Sequence, residues 1–147
     1  MEATYFQLYK RAKHVYSEAL RVLKFRNVCL QSSPTPPQSI LQDLGDLMNN
    51  SQRSCAEDFE CSCPELNELT ALARTAGAYG SRLTGAGWGG CTVSLVSEDQ
   101  VESFTAKLKG GYGPYKDLSE ERMKEFVFAT KPSSGAYGMP ASLSTFY

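Results

Sequence analysis

The chain has 147 residues, with 15 Lys and Arg against 16 Asp and Glu, for a formal net charge of −1. This balance excludes the simple electrostatic route to nucleic acid or an anionic membrane, which needs a basic surplus. A hydrophobic content of 41%, with 11% aromatic residues, excludes a disordered chain and suits one globular domain.

Residues 4–26 carry apolar side chains at helical spacing. Tyr5, Leu8, Tyr9, Ala12, Val15, Tyr16, Ala19, Leu20 and Leu23 recur at i, i+3 and i+4, which predicts a long amphipathic helix. Lys24 and Arg26 suit its C-terminal end, and Asn27 suits a left-handed turn beyond it. The chain's one histidine, His14, falls inside this helix and reads as a surface or helix-packing residue. Without a second histidine, a multi-His metal site has almost no material, and a Ser-His-Asp triad little more.

Residues 31–38 form a loop, because Pro34, Pro36 and Pro37 deny helix and ladder hydrogen bonds. A second helix follows over about 39–52. Ile40, Leu41, Leu44, Leu47 and Met48 make its apolar face, Gly45 is a weak point, and Asp43 and Asp46 mark its wet side. Glu57, Asp58 and Glu60 read as a solvated acidic loop.

Cys55, Cys61 and Cys63 lack the spacing of paired C-x-x-C knuckles. With Cys29 and Cys91 they make an odd set that reads as buried or partly buried free thiols. No apolar leader follows Met1, and no run approaches the ~18 residues of a membrane span, so a cytoplasmic setting without a membrane partner is expected.

The third helix has the clearest start. Ser62 and Glu65 form a capping-box pattern, and Pro64 fits the first turn. Leu66, Leu69, Leu72, Ala73 and Ala76 follow, and Gly77 ends the helix. The period then changes to two. Ser81–Thr84 is a short strand, Gly85–Gly90 a glycine loop, and Cys91–Val96 a second strand in which Cys91, Val93 and Leu95 alternate with Thr92, Ser94 and Val96.

Ser97 with Gln100 opens a helix to about Lys109, with Val101, Phe104 and Leu108 on one face and Gly110 and Gly111 closing it. Residues 112–124 are polar, with a helical turn near Ser119. Residues 125–130 read as a further strand, and the tail from Lys131 has no assigned element. The order predicts an α+β fold, a small antiparallel sheet packed with helices.

The loop Thr84-Gly-Ala-Gly-Trp-Gly-Gly-Cys91 is the strongest chemical signal. Gly85, Gly87 and Gly90 match G-x-G-x-x-G, but in a dinucleotide fold that loop opens a helix, and here a strand follows. No lysine follows for a Walker loop, and the Val-Ala-Ile-Lys, His-Arg-Asp and Asp-Phe-Gly elements of protein kinases are missing.

Gly85, Ala86, Gly87, Gly89 and Gly90 carry at most a methyl group, so a backbone or a ligand can come close. Successive N–H groups there can form an anion-binding nest. The plainer alternative is a wide turn that needs left-handed conformations. Trp88 is either a core anchor or a wall over a cleft. Arg82 is either a strand-surface residue or a charge that steers nucleotide toward the loop.

The run from Gly77 to Val96 resembles the third motif of the GHMP kinases in its galactokinase form. Cys61-Ser-Cys-Pro-Glu-Leu66 is similar to a galactokinase helix start, Phe128-Ala-Thr-Lys-Pro132 to a closing strand, and Arg11-Ala-Lys-His-Val-Tyr-Ser-Glu18 to a helix of the second domain. Trp88 with Cys61 and Cys63 looks closest to the N-acetylgalactosamine kinase branch. The resemblance covers roughly residues 5–135.

It implies a C-terminal kinase domain of ferredoxin-like character over residues 1–135, with the N-terminal catalytic domain absent. Residues 136–147 are a tail in which Gly138 and Pro140 oppose the family's closing strand. The implied activity is ATP- and Mg²⁺-dependent 1-phosphorylation of galactose or N-acetylgalactosamine.

The resemblance assigns Thr84, Gly85, Ala86, Gly87, Trp88, Gly89 and Gly90 to shaping the nucleotide and sugar cleft. The family's Ser-rich phosphate loop, Gly-Glu-His motif and Asp/Arg pair have no counterpart in these residues. No catalytic residue and no metal ligand is therefore carried over, and the isolated chain is expected to be inactive. A non-catalytic sugar- or nucleotide-binding module of the same family, or a truncated product without function, stays open.

Overall fold

The computed structural model describes residues 6–31 and 38–131. Most of the proline loop and the tail beyond Lys131 lie outside the described residues.

The first helix, α1, runs Leu8–Leu30 and passes straight through Asn27, where an end was expected. Half-buried Val28 carries its packed face beyond the expected end. The second helix, α2, spans Gln38–Ser54 and passes into a single π-helical turn, Cys55–Phe59. Glu60 then reverses the chain with a left-handed φ of 60°. The third helix, α3, covers Pro64–Ala76 and ends at Gly77, φ 118°, as expected.

The capping box at α3 does not form. Cys63 occupies the cap position, and the Ser62 hydroxyl instead donates to Asn67 Oδ1 at 2.7 Å. Glu65 is held below the usual carboxylate range by its own backbone N–H and by Cys63.

The strands β1 (Gly80–Thr84) and β2 (Cys91–Leu95) pair antiparallel, with Arg82 opposite Val93 and Thr84 opposite Cys91. They form a two-stranded sheet, the sheet found among the described residues. A 3₁₀ turn, Glu98–Gln100, leads into α4, Val101–Gly111. The Ser97 side chain does not cap this start; its hydroxyl lies 3.2 Å from the Tyr79 hydroxyl.

The strand expected at 125–130 is replaced by the end of a helix, α5, Glu120–Phe126. Ser119 Oγ accepts the Arg122 N–H, Glu120 and Glu121 sit in the first turn, and buried Met123 anchors the helix. These start signals outweigh the strand preference of Phe126.

Two apolar clusters hold the domain. Ala73, Ala76 and Ala78 pack against Phe104 and Leu108, joining α3 to α4. Leu66 and Leu83 pack with Cys55 and Cys61, joining the start of α3 to β1 and the π turn.

Gly45, expected as a weak point, is where α2 meets the strand. A Cβ on Gly45 would overlap the Tyr79 carbonyl, and one on Gly80 would overlap the Gly45 carbonyl. Only a glycine pair permits this approach. It lets two amide side chains of α2 reach the strand edge. Asn49 Nδ2 donates to the Tyr79 carbonyl and its Oδ1 accepts the Ser81 N–H, both at 3.1 Å, while Gln52 Oε1 accepts the Leu83 N–H at 2.7 Å. The open edge of β1 is thus paired by side chains in place of a third strand.

The orientation of α1 departs most from expectation. None of its residues is fully buried. Its half-buried positions are Arg11, His14, Ser17, Glu18, Arg21, Phe25 and Val28, while Leu8, Tyr9, Val15, Tyr16, Leu20 and Leu23 face outward. The helix lies on the domain by a mostly polar face, with its apolar stripe in solvent.

Candidate cleft loop

The segment between β1 and β2 is left-handed at nearly every step. Positive φ occurs at Gly85 (82°), Gly87 (86°), Trp88 (55°), Gly89 (143°) and Gly90 (88°). A Cβ at Gly85, Gly89 or Gly90 would meet nothing within 4 Å, so these positions need glycine for conformation alone. Gly87 needs it for space as well, since a Cβ there would overlap the Cys61 carbonyl. The N–H groups of Gly85, Ala86, Gly89 and Gly90 make no backbone hydrogen bond among the described residues.

One point of the loop is fastened. The Trp88 N–H donates to the Cys61 carbonyl at 2.6 Å, and its indole Nε1–H donates to the Glu60 carbonyl at 3.1 Å. The indole is 64% exposed, which removes the core-anchor reading. Its ring centroid lies 6.4 Å from that of Phe59, which lies 4.8 Å from that of His14. His14 Nδ1 is 3.0 Å from Ser54 Oγ, so the single histidine packs between helices. The Arg11 guanidinium sits 5.8 Å from the Phe59 centroid.

Glu60 and Asp58 are both ion-paired, and Asp58, expected in a solvated loop, is buried while Glu60 stays exposed. Arg11 and Lys10 approach the Glu60 carboxylate at 2.6 and 3.5 Å, and Gln7 donates to it at 3.2 Å. Lys13 pairs with Asp58 at 2.8 Å. The Arg11 hydrogen bond holds Glu60 below the usual carboxylate range, and the Lys13 hydrogen bond does the same for Asp58.

Arg82 turns away from a steering role. Its guanidinium binds Glu18 at 3.0 Å and the Leu83 carbonyl at 3.1 Å. Burial pushes the Glu18 carboxyl up, but the Ser51 hydrogen bond, Arg21 and Arg82 together outweigh it and bring the pKa below its ordinary value. A cavity of about 400 Å³ opens beside this group between α1 and α2, lined by Val22, Phe25, Leu47 and Met48 on its apolar side.

The thiols divide: Cys55 and Cys61 are buried and Cys63 half-buried, whereas Cys29 and Cys91 are exposed, against the expectation of burial. Burial and the neighbouring Cys61 push the Cys55 thiol up to about 11. Among the described residues, no three His, Cys, Asp or Glu side chains converge as a metal site.

Sequence reasoning passed over Asn49 and Gln52, which hold the strand that carries the loop. Their signal was polar residues among the apolar positions of α2.

Residues 38–113, from α2 through the glycine loop to the end of α4, match the family model described as GHMP kinases C terminal. The chain belongs to the GHMP kinases and carries their C-terminal domain. Its relatives within that family include galactokinases. It is 42% identical to the galactokinase of Dictyostelium discoideum, over 92% of this chain and 30% of the relative. It is also 42% identical to the galactokinase of Saccharomyces cerevisiae, over 88% of this chain and 26% of the relative.

The crystal structure of Lactococcus lactis galactokinase complexed with galactose superposes with a TM-score of 0.64 and 31% identity, covering 78% of this chain and 28% of that one. The chain therefore spans between a quarter and a third of the length of these relatives. No helix among the described residues is long and apolar enough to cross a membrane.

Proposed function

We propose that this chain is the C-terminal part of a cytoplasmic galactokinase-type sugar kinase. In this reading Thr84, Gly85, Ala86, Gly87, Trp88, Gly89 and Gly90 form one wall of the cleft for ATP and a galactose-type sugar. The observation that carries it is the loop's open backbone: left-handed Gly85, Gly89 and Gly90 with no atom above them, and N–H groups without a backbone partner that could meet an anion. Those groups fit a phosphate oxygen.

The described residues hold no acidic cluster suited to Mg²⁺, which in this reading is bound by the N-terminal kinase domain. When bound, Mg²⁺ would neutralise charge on the transferring phosphoryl group. The part played by this chain is to position the nucleotide and exclude water, since phosphoryl transfer depends on placement and charge stabilisation. Half a cleft supplies neither, so the isolated chain should be inactive.

The outward apolar stripe of α1 favours a partial kinase over a self-contained binding module. Leu8, Tyr9, Tyr16 and Leu23 expose a surface that a complete module would cover. Its occupant in this reading is the remainder of the kinase chain, which in the relatives makes up more than two thirds of the length.

The test is a chimera in which residues 1–147 replace the matching segment of the Dictyostelium galactokinase. We expect ATP-dependent phosphorylation of galactose, of N-acetylgalactosamine, or of both by the chimera, and none by the chain alone. Turnover by the isolated chain, or a folded chimera that phosphorylates neither sugar, would overturn the reading.

A further inference from the structure

Trp88 is displayed rather than buried, yet it is held at two atoms, and both acceptors belong to one turn: the carbonyls of Glu60 and Cys61. That turn is bonded to the end of the π-helical turn, with the Glu60 and Cys61 N–H groups both donating to the Cys55 carbonyl, the latter at 2.9 Å, and it is held from a second side as well. Glu60 adopts φ 60°, a left-handed conformation that residues with a Cβ disfavour. The first turns of α1 hold it from outside. Arg11 spans the turn with its fork, one nitrogen donating to the Asp58 carbonyl at 2.5 Å and the other to the Glu60 carboxylate at 2.6 Å. Lys10 and Gln7 reach the same carboxylate. The groups are about 40% exposed, and pairs so exposed add little to global stability. What they can do is select one conformation of the turn.

We propose that Glu60 is a positioning residue for the glycine loop. Clamped by Arg11, it fixes the left-handed turn whose carbonyls set the angle of the Trp88 ring. The assignment deepens the proposed function, since it takes the loop as a cleft wall from there. The planar guanidinium reaches the carbonyl and the carboxylate through two separate nitrogens in a fixed fork, which the single nitrogen of a lysine does not reproduce. Arg11 is thus the contact that joins both ends of the turn, while Lys10 and Gln7 reach the carboxylate alone.

Trp88 is the chain's only tryptophan, so its fluorescence reports the loop directly, without any ligand. Failure of the clamp and failure of the cleft reading are thus separate results. In the full chain, Glu60→Gln and Arg11→Lys should each shift the ratio of docked to released indole about two- to fivefold, the scale of an exposed charge pair. The shift should appear as stronger acrylamide quenching and faster anisotropy decay, with far-UV circular dichroism and the unfolding midpoint nearly unchanged.

Asp58→Asn breaks the neighbouring Lys13 pair but leaves the Glu60 clamp, and should move the indole signal less. Should Glu60→Gln fail to fold, the unmodified chain still carries the test. At 1 M salt, where screening acts over ~3 Å, its quenching should rise. An unchanged indole in both folded variants, an equal response to Asp58→Asn, or indifference to salt would overturn the assignment.

Discussion

The helices α1 and α3 carry apolar residues at the same spacing and yet face opposite ways. In α3, Leu66, Ala73 and Ala76 turn inward and the charged residues turn out. In α1, Tyr9, Tyr16, Leu20 and Leu23 turn out, and Arg11, His14, Glu18 and Arg21 turn in. The difference lies in the surface each helix meets. The inner face of α3 meets Phe104, Leu108 and Leu83, which offer only apolar contact. The inner face of α1 meets polar groups from elsewhere in the chain: the Asp58 carbonyl for Arg11, Ser54 for His14, and Ser51 with Arg82 for Glu18. Once a polar face is matched group by group, desolvating it is compensated, and the apolar stripe is left available. An amphipathic pattern states that a helix has two faces; which one docks depends on the partner.

The comparison can be broken at several points. The largest effect is expected in α3. Leu66→Ala should destabilise the domain by ~2–5 kcal/mol, because the site is buried and closed by Leu83, Cys55 and Cys61. Leu23→Ala in α1 should change stability by less than about 0.5 kcal/mol in the isolated chain. Urea unfolding of the two variants measures the contrast, and equal costs would erase it.

Glu18→Ala comes next. It strands Arg82 and Ser51 on the inner face of α1 and should cost ~1–3 kcal/mol. The same carboxylate carries a pH dependence. Its folded pKa lies below the ordinary value, so its contribution is full above the usual range near ~4.3 and is lost as pH falls through the lower folded value. Thermal unfolding of Glu18→Gln should therefore vary less with pH below about 4.5 than that of the parent chain.

A smaller effect concerns the outer stripe. The double variant Tyr16→Ser, Leu23→Ser should bind less hydrophobic dye and scatter less light, with an unfolding midpoint close to the parent's.

The smallest structural perturbation is a thiol titration. Cys29 and Cys91, both exposed, should react first with an aromatic disulfide at neutral pH, whereas Cys55, its thiol pushed up to about 11 and its side chain buried, should react last. A fast Cys55 would mean that the junction of α2, α3 and β1 opens readily.

Much of the fold was legible in the sequence because it rests on local signals. Gly77 ends α3, the change of period marks β1 and β2, and a loop of glycines between two strands announces left-handed turns wherever it is placed. The candidate site was legible to the same extent. Thr84–Gly90 stands out by composition alone, with four glycines and an alanine in seven residues.

What the sequence could not determine depends on pairs of residues far apart in the chain. Gly45 looks like a helix defect until Gly80 is laid across it. Asp58 and Glu60 look unpaired until α1 brings Lys13 and Arg11 to them, and Arg82 looks poised for a ligand until Glu18 takes it. Trp88 could have been core or wall; the carbonyls of Glu60 and Cys61 hold it at the surface. The sequence by itself determined the first four helices, the two strands and the glycine loop, because propensity and periodicity act within a few residues, but it missed the length of α1, the π-helical turn at Cys55–Phe59 and the helix that replaces the strand expected at 125–130. Only the tertiary structure decided which faces meet and which charges are spent, because those depend on partners brought together by the folded chain.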